Sequence, residues 1–69
     1  MREFIVYNRE ESRNIHLLLA YDSSVRGYKF VDISNDIDKI VIYPLSFKTV
    51  ANALDWLDEI AGDCEIIPL

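Results

Sequence analysis

Apolar residues recur at helical spacing over residues 47–61: Phe47, Val50, Leu54, Leu57 and Ala61 form one stripe, with Ala53 and Ile60 on its flank. A period of 3.6 brings such positions to one side of an α-helix, which is expected to bury that side. The flanking residues agree. Ser46 suits the N-cap, because its hydroxyl can accept from a free backbone N–H one turn on. Leu45 and Val50 stand where a hydrophobic staple would sit. Pro44 cannot extend a ladder and suits the exit from a preceding strand, and Gly62 fits a left-handed residue past the helix end. Opposite the stripe stand Lys48, Asn52, Asp55 and Glu59, with Asp58 at its edge. Trp56 falls off the stripe, beside Glu59 and Ile60. Two readings follow for that ring: a boundary side chain lying over a neighbouring strand, or an exposed anchor for a partner.

The rest of the chain reads as strands and turns. Residues 2–7 (REFIVY) are β-branched and aromatic, and apolar on both faces, as expected of a strand inside a sheet. Residues 8–14 (NREESRN) are a polar connection. Residues 15–21 (IHLLLAY) fit two periods. As a strand they place Ile15, Leu17, Leu19 and Tyr21 on one face. As a helix they would start at Asn8 with Glu11 at the capping-box position, but residues 9–14 would bury nothing and Leu17 and Tyr21 would face away from Ile15 and Leu19. The strand is preferred. Residues 22–27 form a turn, 28–33 (YKFVDI) a strand with Tyr28 and Phe30 on one face, 34–38 (SNDID) a turn of residues that bond their own backbone, 39–43 (KIVIY) a strand, and 64–67 (CEII) a last strand whose ladder Pro68 ends. The predicted fold is α+β: a mostly antiparallel sheet in the order β-β-β-β-α-β with one amphipathic helix packed on one face. The helical alternative for residues 9–21 gives a ferredoxin-like β-α-β-β-α-β chain.

Length and composition narrow the function classes. Sixty-nine residues give room for one small domain, residues 1–69. A hydrophobic fraction of 51% in so short a chain favours self-association, because a small domain cannot bury that much apolar surface alone. Net charge is −5 and unevenly placed. Residues 1–31 hold five basic residues (Arg2, Arg9, Arg13, Arg26, Lys29) against four acids, whereas residues 32–69 hold Lys39 and Lys48 against eight. The acidity therefore belongs to the second half. It disfavours phosphate-driven nucleic-acid binding and docking on anionic membranes. No signal-peptide pattern or spanning run is present, so cytoplasmic residence is the expectation.

Candidate chemistry is sparse. Cys64 is the single cysteine, expected as a small buried hydrophobe, with no intrachain disulfide or thiolate metal site. His16 stands in an apolar run without a nucleophile or acid at a readable spacing, which points to a structural or surface histidine. Asp32, Asp36 and Asp38 lack the glycine and terminal glutamate of a calcium loop. No metal or other cofactor is implied. The string RGYKFVDI (26–33) agrees with six of eight positions of the RNA-recognition-motif central strand, but Lys29 and Ile33 depart and Ile33 stands where a stacking ring belongs. A glycine before an aromatic-rich strand is ordinary sheet sequence.

The helix charges run against its macrodipole, with Lys48 in the first turn and Asp58, Glu59 and Asp63 at the end. The expected function is a non-enzymatic, regulatory protein-binding module. Trp56 would be its anchor, and Asp55, Asp58, Glu59 and Asp63 an acidic rim that docks a basic protein partner, inhibiting a nucleic-acid-handling protein by occupying its site. The alternatives are a single-stranded nucleic-acid binder stacking bases on Tyr28 and Phe30, and a small homo-oligomeric subunit, such as a homodimer, without activity of its own.

Overall fold

The fold is described from a computed structural model, which covers residues 2–34 and 40–69. Strands β1 (Arg2–Asn8), β2 (Arg13–Asp22), β3 (Gly27–Asp32) and β4 (Val41–Ile42) precede one helix, α1 (Val50–Ala61), and β5 (Glu65–Pro68) follows it. The five strands form one sheet in the order β4-β3-β2-β1-β5, antiparallel throughout. The predicted element order is the observed one, with α1 on one face. Because β5 returns to pair with β1, the first strand is interior to the sheet, as REFIVY predicts.

Residues 13–22 are a strand, so the ferredoxin-like alternative is not the fold. The reason lies in the preceding turn. The Asn8 side-chain carbonyl accepts from the Glu10 and Glu11 N–H groups at 3.0 and 3.3 Å, and Ser12 has φ 49°, a left-handed backbone that no helix interior accommodates. The chain reverses there and pairs with β1.

The register settles which residues share a face, since paired residues point the same way. Phe4 opposes Leu17, Val6 opposes Ile15 and Ile66, and Leu19 opposes Phe30. Phe4, Val6, Leu17, Leu19 and Phe30, with Ala53 and Leu57 from α1, are the buried hydrophobic cluster. Each large side chain of this set contributes about 1.5–3 kcal/mol by leaving water.

The helix begins later than its apolar spacing predicts. Thr49, not Ser46, is the N-cap, with φ −131° and ψ 156°, and its hydroxyl accepts from the Asn52 N–H at 3.1 Å. Ser46 does not serve because Phe47 is held extended against β3. The Tyr28 N–H donates to the Phe47 carbonyl at 2.7 Å, and the Phe47 N–H to the Tyr28 carbonyl at 2.9 Å. This bridge overrides the helical pattern; the Phe47 ring still reaches the core, but from outside α1. Lys48 accordingly precedes the cap instead of sitting in the first turn, and Leu45, 47% exposed, makes no staple.

Both glycines have specific roles. Gly62 has φ 58° and ψ −116°, the geometry of the first central residue of a type II′ turn, and the Cys64 N–H closes that turn on the Ala61 carbonyl at 3.0 Å. The chain passes from α1 into β5 in three residues. Gly27 is not the left-handed turn residue; Arg26 takes that conformation, with φ 51°. A β-carbon at Gly27 would lie 2.9 Å from the Phe47 carbonyl oxygen, so the glycine permits the Tyr28–Phe47 bridge. At the other end Pro68 is inside β5 instead of ending its ladder, and the Leu69 N–H donates to the Glu3 carbonyl at 3.0 Å. An edge strand tolerates the missing proline N–H. The expected strand at 39–43 is paired with β3 only at Val41 and Ile42, while Lys39 and the expected turn residues 35–38 lie outside the described residues.

Candidate interaction surface

The sheet has one helix and two faces, and the two faces differ in kind. On the covered face, Trp56 is half-buried and packed into a cluster of rings. It stacks on Phe30 with centroids 5.6 Å apart and planes 26° apart. It also leans on Phe47 at 5.4 Å and meets the Tyr43 edge at 6.2 Å. The boundary reading of Trp56 describes this position: the ring face is occupied by Phe30 within the molecule. Phe30 itself is 0% exposed under α1, so it presents no surface to a base, and Tyr28 meets Tyr21 edge-on at 5.3 Å.

The acidic residues stand on the outer side of this layer. Asp55, Asp58 and Glu59 on α1, and Asp63 after Gly62, are all exposed. Among the described residues, none of them takes part in an ion pair; the pairs present are Arg9–Glu65 and His16–Glu3. Exposed pairs of this type contribute little stability. Asp55, Asp58, Glu59 and Asp63 are thus exposed carboxylates on the outer side and just past the end of the helix, whereas the Trp56 ring beside them packs on Phe30 and Phe47.

His16 lies across the β1–β2 pair from Glu3, with its Nε2 3.1 Å from a Glu3 carboxylate oxygen, and its backbone N–H donates to the Ser34 hydroxyl at 2.7 Å. Cys64 is a half-buried free thiol at the edge of the core, beside a small apolar groove of about 140 Å³ also lined by Leu17, Tyr43, Leu57 and Ile60. Two groups depart from their ordinary acidity. Asp22 is held below the usual carboxylate range by the Ser24 hydroxyl and then the Ser24 N–H. The Tyr43 phenol is raised by burial and secondarily by the nearby Asp32 carboxylate. Among the described residues, no group of three or more His, Cys, Asp or Glu side chains could hold a metal ion, and no helix is long and apolar enough to cross a membrane.

The opposite face is the surface that sequence reasoning missed. The same register that turns Phe4, Leu17 and Phe30 toward α1 turns Ile5, Leu18, Val31, Ile42 and Ile67 away from it. No described element lies over them. Leu18, Val31 and Ile42 form one row across β2, β3 and β4, which meets Glu3 on β1, and Ile5 and Ile67 stand in the neighbouring row, where Ile5 opposes His16. Ile42, Ile67 and the adjoining Leu69 are 61%, 44% and 69% exposed. The signal was present in the sequence: REFIVY and IHLLLAY are apolar on both sides, yet a single helical stripe is available to cover them. Compared with protein-family models, with curated proteins and with solved structures, the chain matches none.

Proposed function

We propose that this chain is a non-enzymatic protein-interaction module whose binding surface is the uncovered face of the sheet. The observation that carries the reading is the set of apolar side chains on this face, Ile42, Val31 and Leu18 in one row and Ile5 and Ile67 in the next, with no described layer over them. Soluble domains seldom leave a contiguous apolar patch bare beyond a few hundred Å² unless it meets a partner. Lys29, Tyr7 and Glu65 border these rows on the same face, as in the rim of a protein interface, while Glu3 and His16 stand within them as a pair. The acidic carboxylates of α1 lie on the far layer. They serve as a second, salt-sensitive surface that steers a basic protein, which is the regulatory or inhibitory part of the reading.

Two sets of substitutions separate the surfaces. Tagged wild type, Val31→Lys, and the triple change Asp55→Asn, Asp58→Asn, Glu59→Gln are each used to recover partners from extract. The sheet-face reading expects a protein that is lost with Val31→Lys and kept with the triple change. The reverse pattern would move the site to the helix, and recovery of nucleic acid in place of protein would overturn the reading.

A further inference from the structure

We infer that the occupant of the uncovered sheet face is a second copy of this chain, placed by a two-fold axis that runs along β2 in the plane between the two sheets. This names the partner of the surface proposed above and rests on that reading.

Area is the first support. A five-stranded face is roughly 24 by 20 Å, about 500 Å² in projection before side-chain relief is counted, which approaches the ~800 Å² per partner of a standard interface. A compact monomer of 8.0 kDa would expose roughly 4,450 Å²; this chain exposes 5137 Å². The excess, about 700 Å² by that scaling, is distributed over the molecule, and the uncovered sheet face with Ile42, Ile67 and Leu69 contributes to it. The molecule is thin, 20 Å along its shortest axis, because a single helix layer backs the sheet. Two copies face to face give a helix–sheet–sheet–helix stack with the apolar rows at its centre, the two sheets about 10 Å apart.

Symmetry is the second support. An axis along the central strand reverses the strand order, so β2 faces β2, β3 faces β1 and β4 faces β5. Leu18 then meets its own copy, and Ile42 meets Ile67 and Leu69, the most exposed apolar side chains of the face. Lys29 on β3 comes within one same-face row of Glu3 on the other copy's β1, which stands in register with Leu18, so opposite charges approach each other across the interface. An axis perpendicular to the strands would instead set β3 on β3 and β1 on β1, leaving Lys29 away from Glu3. The His16–Glu3 pair stays closed within each copy, so His16 enters the interface with a partner.

Charge is the third. At −5 per chain, two copies would repel if their acids met. Asp55, Asp58, Glu59 and Asp63 stand on the helix layer or at its end, and face-to-face pairing turns that layer outward on both sides.

Sedimentation equilibrium over a concentration series tests the assignment. The expected species has twice the 8.0 kDa chain mass. Leu18→Lys, which sets two like charges at the axis, should raise the dissociation constant about 100-fold or more. Ile42→Lys, at a 61% exposed position that carries no fold requirement, should weaken it in the same direction, and circular dichroism checks that both variants remain folded. Lys29→Glu and Glu3→Lys should each weaken the dimer about tenfold, and the double charge swap should restore most of that loss. A chain that stays monomeric at all concentrations overturns the proposal. So does a dimer indifferent to Ile42→Lys, or one whose charge swap gives no rescue. If the chain is monomeric yet Val31→Lys still abolishes capture of another protein, the second-copy assignment fails while the interaction-module reading stands.

Discussion

Replacing Trp56 with alanine should unfold much of the protein. The ring is half-buried, and a tryptophan presents 150–250 Å² for burial; taking about 100 Å² as removed from water, the loss is about 2.5 kcal/mol at 25 cal/mol per Å². The stack on Phe30 at 5.6 Å adds a pair energy of about 0.5–1.5 kcal/mol. The sum, about 3–4 kcal/mol, is comparable with the whole stability of about 3–5 kcal/mol that a core of this size supplies. At about 4–8 °C per kcal/mol for a domain of this length, the melting temperature should fall by more than about 12 °C. Far-ultraviolet circular dichroism against temperature and urea reads the change, and the intrinsic emission of the wild-type ring should be blue-shifted in the folded state and move red on unfolding. Trp56→Phe, which keeps an aromatic face on Phe30, should recover most of the loss. A Trp56→Ala variant melting within a few degrees of wild type would refute the packing role and return the ring to the list of partner contacts.

Three further predictions follow from the fold. Thr49→Ala should cost about 0.5–2 kcal/mol as the loss of a cap, while Ser46→Ala should be nearly neutral; denaturant titration of the two separates the observed helix start from the one the apolar spacing predicts. Gly27→Ala should destabilise markedly, because its β-carbon meets the Phe47 carbonyl oxygen at 2.9 Å, and amide exchange should show the Tyr28–Phe47 bridge opening first. With pH, the Asp22 carboxyl is depressed in the fold, so its stabilisation is complete above the ordinary value of 3.8 and is lost as pH falls through the lower folded value. Ser24→Ala should therefore be less stable than wild type above that range and lose less stability as pH falls, which flattens the acid limb of a melt series. The Tyr43 phenol is raised, so its contribution is complete below the ordinary 10.0 and fades as pH climbs through the higher folded value; Tyr43→Phe should flatten the alkaline limb of the same series.

Where one period dominated, the sequence was legible. The stripe Val50, Leu54, Leu57 and Ala61 locates α1, and the two-sided apolar run of residues 2–7 marks an interior strand. IHLLLAY carried both periods, and the deciding features, the left-handed Ser12 and the Asn8 side chain closing the turn, are local preferences too weak to read alone. Ser46 and Thr49 are equally good caps in a string of letters; only the tertiary bridge between Phe47 and Tyr28 selects Thr49. Helical angle set Trp56 off the apolar stripe, but the buried side of α1 centres on Ala53 and Leu57, which brings Trp56 to its flank against Phe30 and Phe47, rings a helical projection does not contain. The uncovered face could have been anticipated by comparing apolar faces with available covers: REFIVY and IHLLLAY need two, and one helix supplies one.

The claim that the uncovered sheet face is the surface at which this protein meets another is tested most directly by residue-resolved NMR of the wild-type chain, first on dilution and then on addition of any captured partner. The predicted outcome is that signals of Ile5, Leu18, Val31, Ile42 and Ile67 shift together on dilution while those of Asp55, Asp58 and Glu59 stay fixed. Shifts confined to the helix, with the sheet-face signals unchanged under both conditions, would contradict it.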